Sequence, residues 1–186
     1  MLFRSSLSIT LLDKDEVVIE GVRFLGATLW TDFRVNRGTP SEVSMRAAEA
    51  GLADFFKIRT QMGNLTAVNT RDEHLNARSW LRRELHKPFD GKTVVVTHHA
   101  PHPLSVHRRF VGHELTPAFV SDLSEELFHT DLWLHGHVHD GFDYQVGRAR
   151  VVANPAGHVL NRIRVNDGEA PRWENEHWQP SLVIDV

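Results

Sequence analysis

Cysteine is absent from this sequence. Without thiols the chain has no disulfide framework and no thiolate metal site, so any metal ion must be held by histidine, aspartate, glutamate or asparagine. Long apolar runs are also missing, and no segment is long enough to cross a membrane. Serines interrupt the apolar residues at the start of the chain, and no small-residue cleavage site precedes the acidic stretch that follows. We therefore expect a protein of the cytoplasm.

The chain also lacks an excess of charge of either sign. Lysine and arginine together number 21 and the acidic residues number 24, which gives a net charge of -3. This balance provides no electrostatic basis for binding nucleic acid or a membrane surface. The length of 186 residues suits one domain with a core of its own, and we expect residues 1–186 to form a single domain.

Histidine, in contrast, is abundant, with 13 residues. Two groups of histidines directly follow short apolar runs. The β-branched run Lys92–Thr97 leads into His98 and His99, and the run Leu132–Leu134 leads into His135-Gly136-His137-Val138-His139. Such runs predict buried strands, and ligands in open α/β sheets bind beyond the carboxyl ends of the strands. The sequence therefore predicts one shared site at which both groups of histidines lie.

His137 and His139 are candidate metal ligands, because neutral imidazole is the commonest side-chain ligand for zinc and similar ions. We expect Gly136 to allow a sharp turn that brings both rings to one point. His135 lies on the strand itself, where we expect it to pack in the interior or to support a ligand from behind.

Adjacent side chains on a strand point in opposite directions, so only one of His98 and His99 can face the crevice, while the other packs or holds substrate. Asn154 either lines the crevice or makes a turn, and the turn is favoured. Arg108-Arg109 either steers an anion or is ordinary surface. The other histidines are each expected to be solvated side chains: His74, His86, His102, His107, His113, His129, His158 and His177.

Alternating apolar residues, turn residues and capping-box patterns predict a mixed α/β protein. Besides the two strands before the histidines, the predicted strands are Ser8–Leu12, Val17–Ile19, Val22–Trp30, Phe142–Val146, Arg148–Ala153 and Leu182–Val186, with a hairpin turn at Gly147. The predicted helices begin at Thr39-Pro40, Thr70 and Thr116-Pro117, and the first two run to about Phe56 and His86. Ile58–Asn69 and Leu104–Leu115 are predicted loops.

The two histidine groups resemble motifs of a known family. Gly136-His137-Val138-His139 resembles the GHxH motif of calcineurin-like metallophosphoesterases, and residues 94–101 resemble the strand and histidine that precede it. Residues 24–33, 115–120 and 153–157 resemble small bacterial members. The resemblance implies an αββα sandwich of four layers with mixed sheets. It also implies two metal ions, among Mn, Fe, Zn and Co, that share a carboxylate and a hydroxide that attacks phosphorus.

By position in the motifs, the resemblance makes His98 and His137 ligands of one metal and His139 a ligand of the other, with His99 as a neighbour. The family's earlier motifs are not found ahead of these histidine groups in their usual form: GDxxD and GNH do not occur in this sequence, and its one Asp-x-His, Asp72-Glu73-His74, lies within the helix predicted from Thr70. We therefore expect the chain to correspond to the C-terminal two-thirds of such an enzyme, with the N-terminal strands missing. The uncovered sheet edge that this implies would favour a homodimer.

Three histidines alone cannot hold two cations close together, because anionic ligands are needed to offset the repulsion between the ions. Asp32, Asp140 and Asp143 are nearby acidic residues in the sequence, but no pattern directs them to the site. Whether the isolated chain is an enzyme therefore stays open, and the pattern identifies no catalytic side chain.

Three functions fit the pattern. The first is a metal-dependent phosphoesterase that hydrolyses a phosphomonoester or phosphodiester, incomplete as this chain. The alternative is a non-catalytic metal-binding or interaction module that keeps the fold. A third is a mononuclear zinc hydrolase with three histidines and an open water position. Substrate-binding residues are not identified beyond the weak candidates His99 and Asn154.

The sequence prediction for the metal ligands can be tested by substitution. His137→Ala and His139→Ala should each abolish metal binding at the site that these motifs predict, because each removes an imidazole nitrogen from it, whereas His107→Ala should leave it unchanged. Calorimetric titration of the metal-free protein measures this, and equal effects at all three positions would contradict the assignment.

Overall fold

A computed structural model describes residues 10–162 and 168–186 of the chain. The strands are β1 (Asp15–Ile19), β2 (Val22–Ala27), β3 (Arg59–Thr60), β4 (Gly63–Asn64), β5 (Lys92–Thr97), β6 (Leu132–His135), β7 (Phe142–Val146) and β8 (Ala149–Ala153). The helices are α1 (Ser41–Gly51), α2 (Asp54–Lys57), α3 (Ala67–Leu85) and α4 (Ser124–Leu127). Short 3₁₀ turns lie at Pro103–Ser105, Arg108–Phe110 and Thr116–Ala118.

Six of these strands form one mixed sheet in the order β1-β2-β5-β6-β8-β7. The four central strands, β2, β5, β6 and β8, run parallel, and β1 and β7 pair antiparallel with their neighbours at the two edges. This architecture confirms the predicted mixed α/β class. Because the central strands are parallel, their carboxyl ends lie at one edge of the sheet.

The main core lies between one face of the sheet and the long helix α3. Leu25, Val95, Trp133 and Val151 lie opposite one another on the four parallel strands and are fully buried. They belong to one apolar cluster with Ala77, Leu81 and Leu85 of α3. Each aliphatic side chain buried in this way contributes about 1.5–3 kcal/mol to folding. The other face packs Val94, Leu132 and Val152 against Ile184 near the end of the chain.

Several predicted strands are correct and others are wrong. The strands at 92–97 and 132–135 and the hairpin through Gly147 are confirmed. The strand predicted to reach Trp30 ends at Ala27, because Leu29 and Trp30 have left-handed φ angles of 75° and 51°. Residues 10–12 and Leu182–Val186 form no strand, and residues 8 and 9 lie outside the described part.

The predicted helix boundaries also need correction. Pro40, one residue after the predicted Thr39, precedes α1, and it provides no side-chain cap. The helix predicted from Thr70 starts four residues earlier, behind the cap Thr66, whose hydroxyl accepts a hydrogen bond from the Asn69 amide. The predicted loop at 58–69 holds the small hairpin of β3 and β4.

The helix predicted from Thr116 is a 3₁₀ turn that stops after Ala118. Val120 instead forms a bridge to Ala100 beside β5, which pulls the chain into an extended conformation before α4 begins. In residues 10–162 and 168–186, no helix combines the length and the apolar character that a bilayer crossing requires.

A buried carboxylate joins α4 to α3, and its removal should weaken the fold. The side chain of Glu126 is 1% exposed and accepts hydrogen bonds from Arg78 Nε at 2.7 Å and Arg82 Nε at 2.8 Å. We expect Glu126→Gln to lower the free energy of unfolding by about 2 kcal/mol, because two guanidinium groups lose their anion and only partly reach solvent. Urea denaturation measures the loss.

Glu125→Gln is the matched control for this substitution. Glu125 also pairs with Arg82, but its side chain is 75% exposed, so we expect a change below about 0.5 kcal/mol. Equal losses for the two variants would contradict the importance of the buried position.

Candidate functional site

The carboxyl ends of the four parallel strands meet at one edge of the sheet and form the candidate site. Thr28 follows β2, His98 and His99 follow β5, and Gly136 follows β6. The His99 amide donates to the Thr28 carbonyl at 3.3 Å, and the Gly136 amide donates to the His98 carbonyl at 3.1 Å. These bonds continue the sheet beyond the strands and bring the two histidine groups together, as the sequence predicts.

His98 and His137 lie side by side at this edge, with 4.7 Å between their ring centroids. The ring of Phe119 stacks on His137 at 4.4 Å. Burial lowers the pKa of His137 to about 3 and also lowers the pKa of His98, although the charge of Asp54 acts in the opposite direction on His98. Both imidazoles are therefore neutral near pH 7, and a neutral ring has a nitrogen lone pair available for a metal ion.

The backbone after β6 is strained at the histidines. His137 and His139 have φ angles of 64° and 58°, which are uncommon for residues with a side chain. Gly136 is not in the left-handed region, so the prediction that this glycine makes the sharp turn is wrong. Left-handed non-glycine residues are concentrated at binding and active sites, where the strain fixes a side-chain position.

His139 contacts the C-terminal part of the chain. Its Nδ1 lies 2.9 Å from Glu174 Oε2, and its ring centroid lies 4.6 Å from that of His158. Ligand atoms of His139, His158 and Glu174 all lie within 4.8 Å of one another. His98, His137 and His139 do not form such a group in the described residues. The structure therefore brings the three predicted ligands to one edge, but not around one point.

A chain of hydrogen bonds supports this edge from behind. His135 Nδ1 lies 3.0 Å from the Gly136 carbonyl and donates to it, so Nε2 accepts from the Ser105 hydroxyl at 2.8 Å. Tyr144 in turn donates to Ser105 Oγ at 2.6 Å. Burial lowers the pKa of His135 to about 4 and raises that of Tyr144 to about 12. His135 is thus packed in the interior, in agreement with the sequence prediction.

Two further buried histidines hold the loop after β2. His99 Nδ1 donates to the Thr28 carbonyl at 3.1 Å, and His74 Nδ1 lies 3.2 Å from the Leu29 carbonyl and 3.3 Å from that of Trp30. The expectation that His74 is solvated is wrong, because it is fully buried. Its helical spacing to Ala77 and Leu81, which share its face, was the signal in the sequence.

The three acidic residues considered in the sequence are all engaged elsewhere. Asp32 accepts a hydrogen bond from the Ser121 hydroxyl at 3.1 Å, Asp140 pairs with Arg109 at 2.8 Å, and Asp143 pairs with Arg150 at 2.7 Å. Asn154 exchanges hydrogen bonds with the backbone of Gln179 at 2.7 and 3.0 Å and so fixes the C-terminal segment. None of these contacts directs a carboxylate between His98 and His139.

A cavity of about 270 Å³ opens beside the histidines. Its walls include Arg109, Phe110, Phe119, His137, His139 and Glu174. His107, His113 and His158, which the sequence places in solvated loops, also lie on this wall. The cavity gives a small ligand access to the rings at the edge of the sheet.

The fold is similar to that of a phosphopantetheinyl hydrolase (PptH) from Mycobacterium tuberculosis. The TM-score is 0.51 and the sequence identity is 13%, over 86% of this chain and 58% of the other. At this identity the likeness shows the fold alone, and this chain spans just over half of the length of that hydrolase. No protein-family model matches the sequence, and a search of curated proteins found no match either.

The buried His135 makes stability depend on pH. Its folded pKa of about 4 lies below the unfolded value of 6.5, so the unfolded chain binds more protons between these values and stability is lost as pH falls through that range. Between about pH 7 and pH 5 we expect His135 alone to account for a loss of about 2 kcal/mol. Urea denaturation with a chelator present, in the wild type and in His135→Asn, measures this contribution.

Between about pH 7 and pH 5 the free energy of unfolding should fall by about 2 kcal/mol more in the wild type than in His135→Asn. The exposed control His129→Ala should lose as much as the wild type. Parallel pH profiles for the wild type and His135→Asn would show that His135 is protonated as easily in the folded chain as in the unfolded one.

Proposed function

We propose that this chain belongs to a metal-dependent phosphoesterase, with its ligand imidazoles supplied by His98, His137 and His139. The observation that supports this most is the pair His98 and His137, which are neutral and 4.7 Å apart at the carboxyl edge of the parallel strands. The likeness of the fold to a hydrolase agrees with it, and so does the resemblance of residues 136–139 to the GHxH motif.

The residues present fit part of a metal centre. Neutral imidazoles suit Zn²⁺, Mn²⁺, Fe²⁺ or Co²⁺, and such an ion, when bound, supplies a hydroxide that can attack phosphorus. The chain itself orients the rings: Phe119 stacks on His137, and the His98 carbonyl holds the Gly136 amide. Phe110 and Phe119 give the cavity beside this edge an apolar wall.

A two-ion centre does not fit the residues that the structure describes. Such a centre needs carboxylates around both ions, and Asp32, Asp140 and Asp143 are all hydrogen-bonded elsewhere. A full centre would require more carboxylates at this edge than Glu174, which contacts His139, and Asp54, whose charge acts on His98. The substrate class that suits the site is a phosphate ester small enough to enter a cavity of about 270 Å³.

The lack of these carboxylates favours a second function, a non-catalytic module that keeps the fold and binds a metal ion or another chain. Within the described residues β1 pairs only with β2 and exposes the apolar side chains Val18 and Ile19, and an edge strand of this kind can pair with a second copy of the chain. Turnover decides between the two functions.

The test is metal-dependent hydrolysis of nitrophenyl phosphate and bis-nitrophenyl phosphate by the purified chain. We expect turnover that requires added Mn²⁺ or Zn²⁺ and that falls at least about tenfold in His98→Ala and in His137→Ala, because each removes a neutral imidazole from the edge. His107 lies on the cavity wall, so the exposed His129 beyond α4 is the better control, and His129→Ala should keep full turnover.

Absence of metal-dependent turnover in the wild type would contradict the phosphoesterase and support the binding module. Turnover that survives both His98→Ala and His137→Ala would place the reaction elsewhere on the molecule.

A further inference from the structure

We propose that His139, His158 and Glu174 form a site for a single transition-metal dication of the zinc class. The site shares His139 with the proposed phosphoesterase centre and otherwise uses residues that the motifs of that family do not include. Within residues 10–162 and 168–186, no other group of three His, Asp or Glu side chains brings its ligand atoms within 4.8 Å.

The spacing of the three side chains suits one ion. A tetrahedral ion with bonds of about 2.0–2.1 Å holds its ligand atoms roughly 3.3 Å apart. His139 Nδ1 and Glu174 Oε2 are already 2.9 Å apart, and the largest separation within the group is at most 4.8 Å. His158 is exposed, so rotation of its side chain closes the remaining gap without displacing the core.

A short antiparallel ladder fixes two of the ligands relative to each other. The Glu174 amide donates to the His158 carbonyl at 2.9 Å, and the Leu160 amide donates to the Arg172 carbonyl at 2.8 Å, on either side of the bridge between Val159 and Trp173. The buried Asn175 then anchors this segment by donating to the Pro155 carbonyl at 2.7 Å. The site is therefore built on paired backbone, although its side chains reach solvent.

Gly157 leaves room for the carboxylate. Its φ is +71°, and a Cβ at this position would lie 2.8 Å from Glu174 Cβ and 3.1 Å from Glu174 Oε2. The His158 amide also donates to Glu174 Oε2 at 3.1 Å. Both features place the carboxylate beside the two imidazoles rather than in open solvent.

The donor set is that of a metal site with an open position. Two histidines and one glutamate hold zinc in several hydrolases and leave the fourth position to water or substrate. All three residues line the cavity of about 270 Å³, so the fourth position faces the space in which a small anion can bind.

A different arrangement of the same contacts must be distinguished. Glu174 can accept a hydrogen bond from His139 Nδ1 and merely orient that ring, as carboxylates often do behind a metal-binding histidine. In that arrangement His158 has no role in binding, so His158 is the decisive position.

The experiment is a calorimetric titration of the chelator-treated, full-length chain with Zn²⁺, with the stoichiometry read by native mass spectrometry. We expect one tightly bound Zn²⁺ ion per chain, and we expect its binding to be at least about tenfold weaker in His158→Ala and in Glu174→Gln. Glu176→Gln and His177→Ala, exposed neighbours on the same segment, serve as matched controls and should bind as the wild type does. The melting temperature of each metal-free variant checks that the variant is folded. Because the His158 side chain is exposed, we expect His158→Ala to leave this temperature unchanged.

His98→Ala separates this site from the proposed function, because it should leave the tight Zn²⁺ site intact. Loss of the ion in His98→Ala with retention in His158→Ala would overturn the inference and leave the phosphoesterase pair standing. Weakening by Glu174→Gln with no effect of His158→Ala would show that Glu174 only orients His139. Absence of Zn²⁺ binding would also overturn the site, while the turnover assay with Mn²⁺ judges the proposed function independently.

Discussion

The parallel pairing of β2, β5, β6 and β8 is the constraint on which the whole site depends. Parallel strands deliver their carboxyl ends to the same edge, and the ends of β5 and β6 carry the two groups of histidines. The long helix α3 follows β2 and precedes β5 in the sequence. It covers one face of the sheet and places His74 against the loop after β2. Loss of this pairing would separate the histidine groups entirely, whatever their local conformation.

Burial of imidazoles connects the fold to the chemistry of this edge. His74, His99 and His135 each place Nδ1 against a backbone carbonyl of a strand-end loop, which fixes the tautomer and leaves Nε2 unprotonated. Burial lowers the pKa of all three rings, so they act as neutral structural groups. The Nε2 atoms of His74 and His99 find no partner in the described residues. The edge thus combines rings that hold loops with rings that line the cavity, those of His137 and His139.

The sequence predicts the parts of this protein whose signals are local. Lys92–Thr97 is a β-branched run and becomes a strand with those bounds, and Gly147 turns the predicted hairpin. The cap predicted at Thr70 is instead provided by Thr66, which forms a reciprocal capping box with Asn69. The helix expected after Thr116 fails because Val120 pairs with Ala100, which is distant in the sequence. His158 and Glu174 meet through a backbone ladder, so no short motif could have joined them to His139.

Electrostatics favours one ion over two at this edge. Two dications about 3.5 Å apart repel each other by roughly 19 kcal/mol at an effective dielectric constant of about 20, and only anionic ligands offset this repulsion. Neutral rings at His98 and His137 contribute none of that charge. Glu174 is the carboxylate whose oxygen lies against one of the predicted ligands, and it faces His139. A single ion with two imidazoles and this carboxylate therefore needs no further anion, whereas a bridged pair needs several. The described chain is better suited to hold one ion beside its ladder than two between its strands.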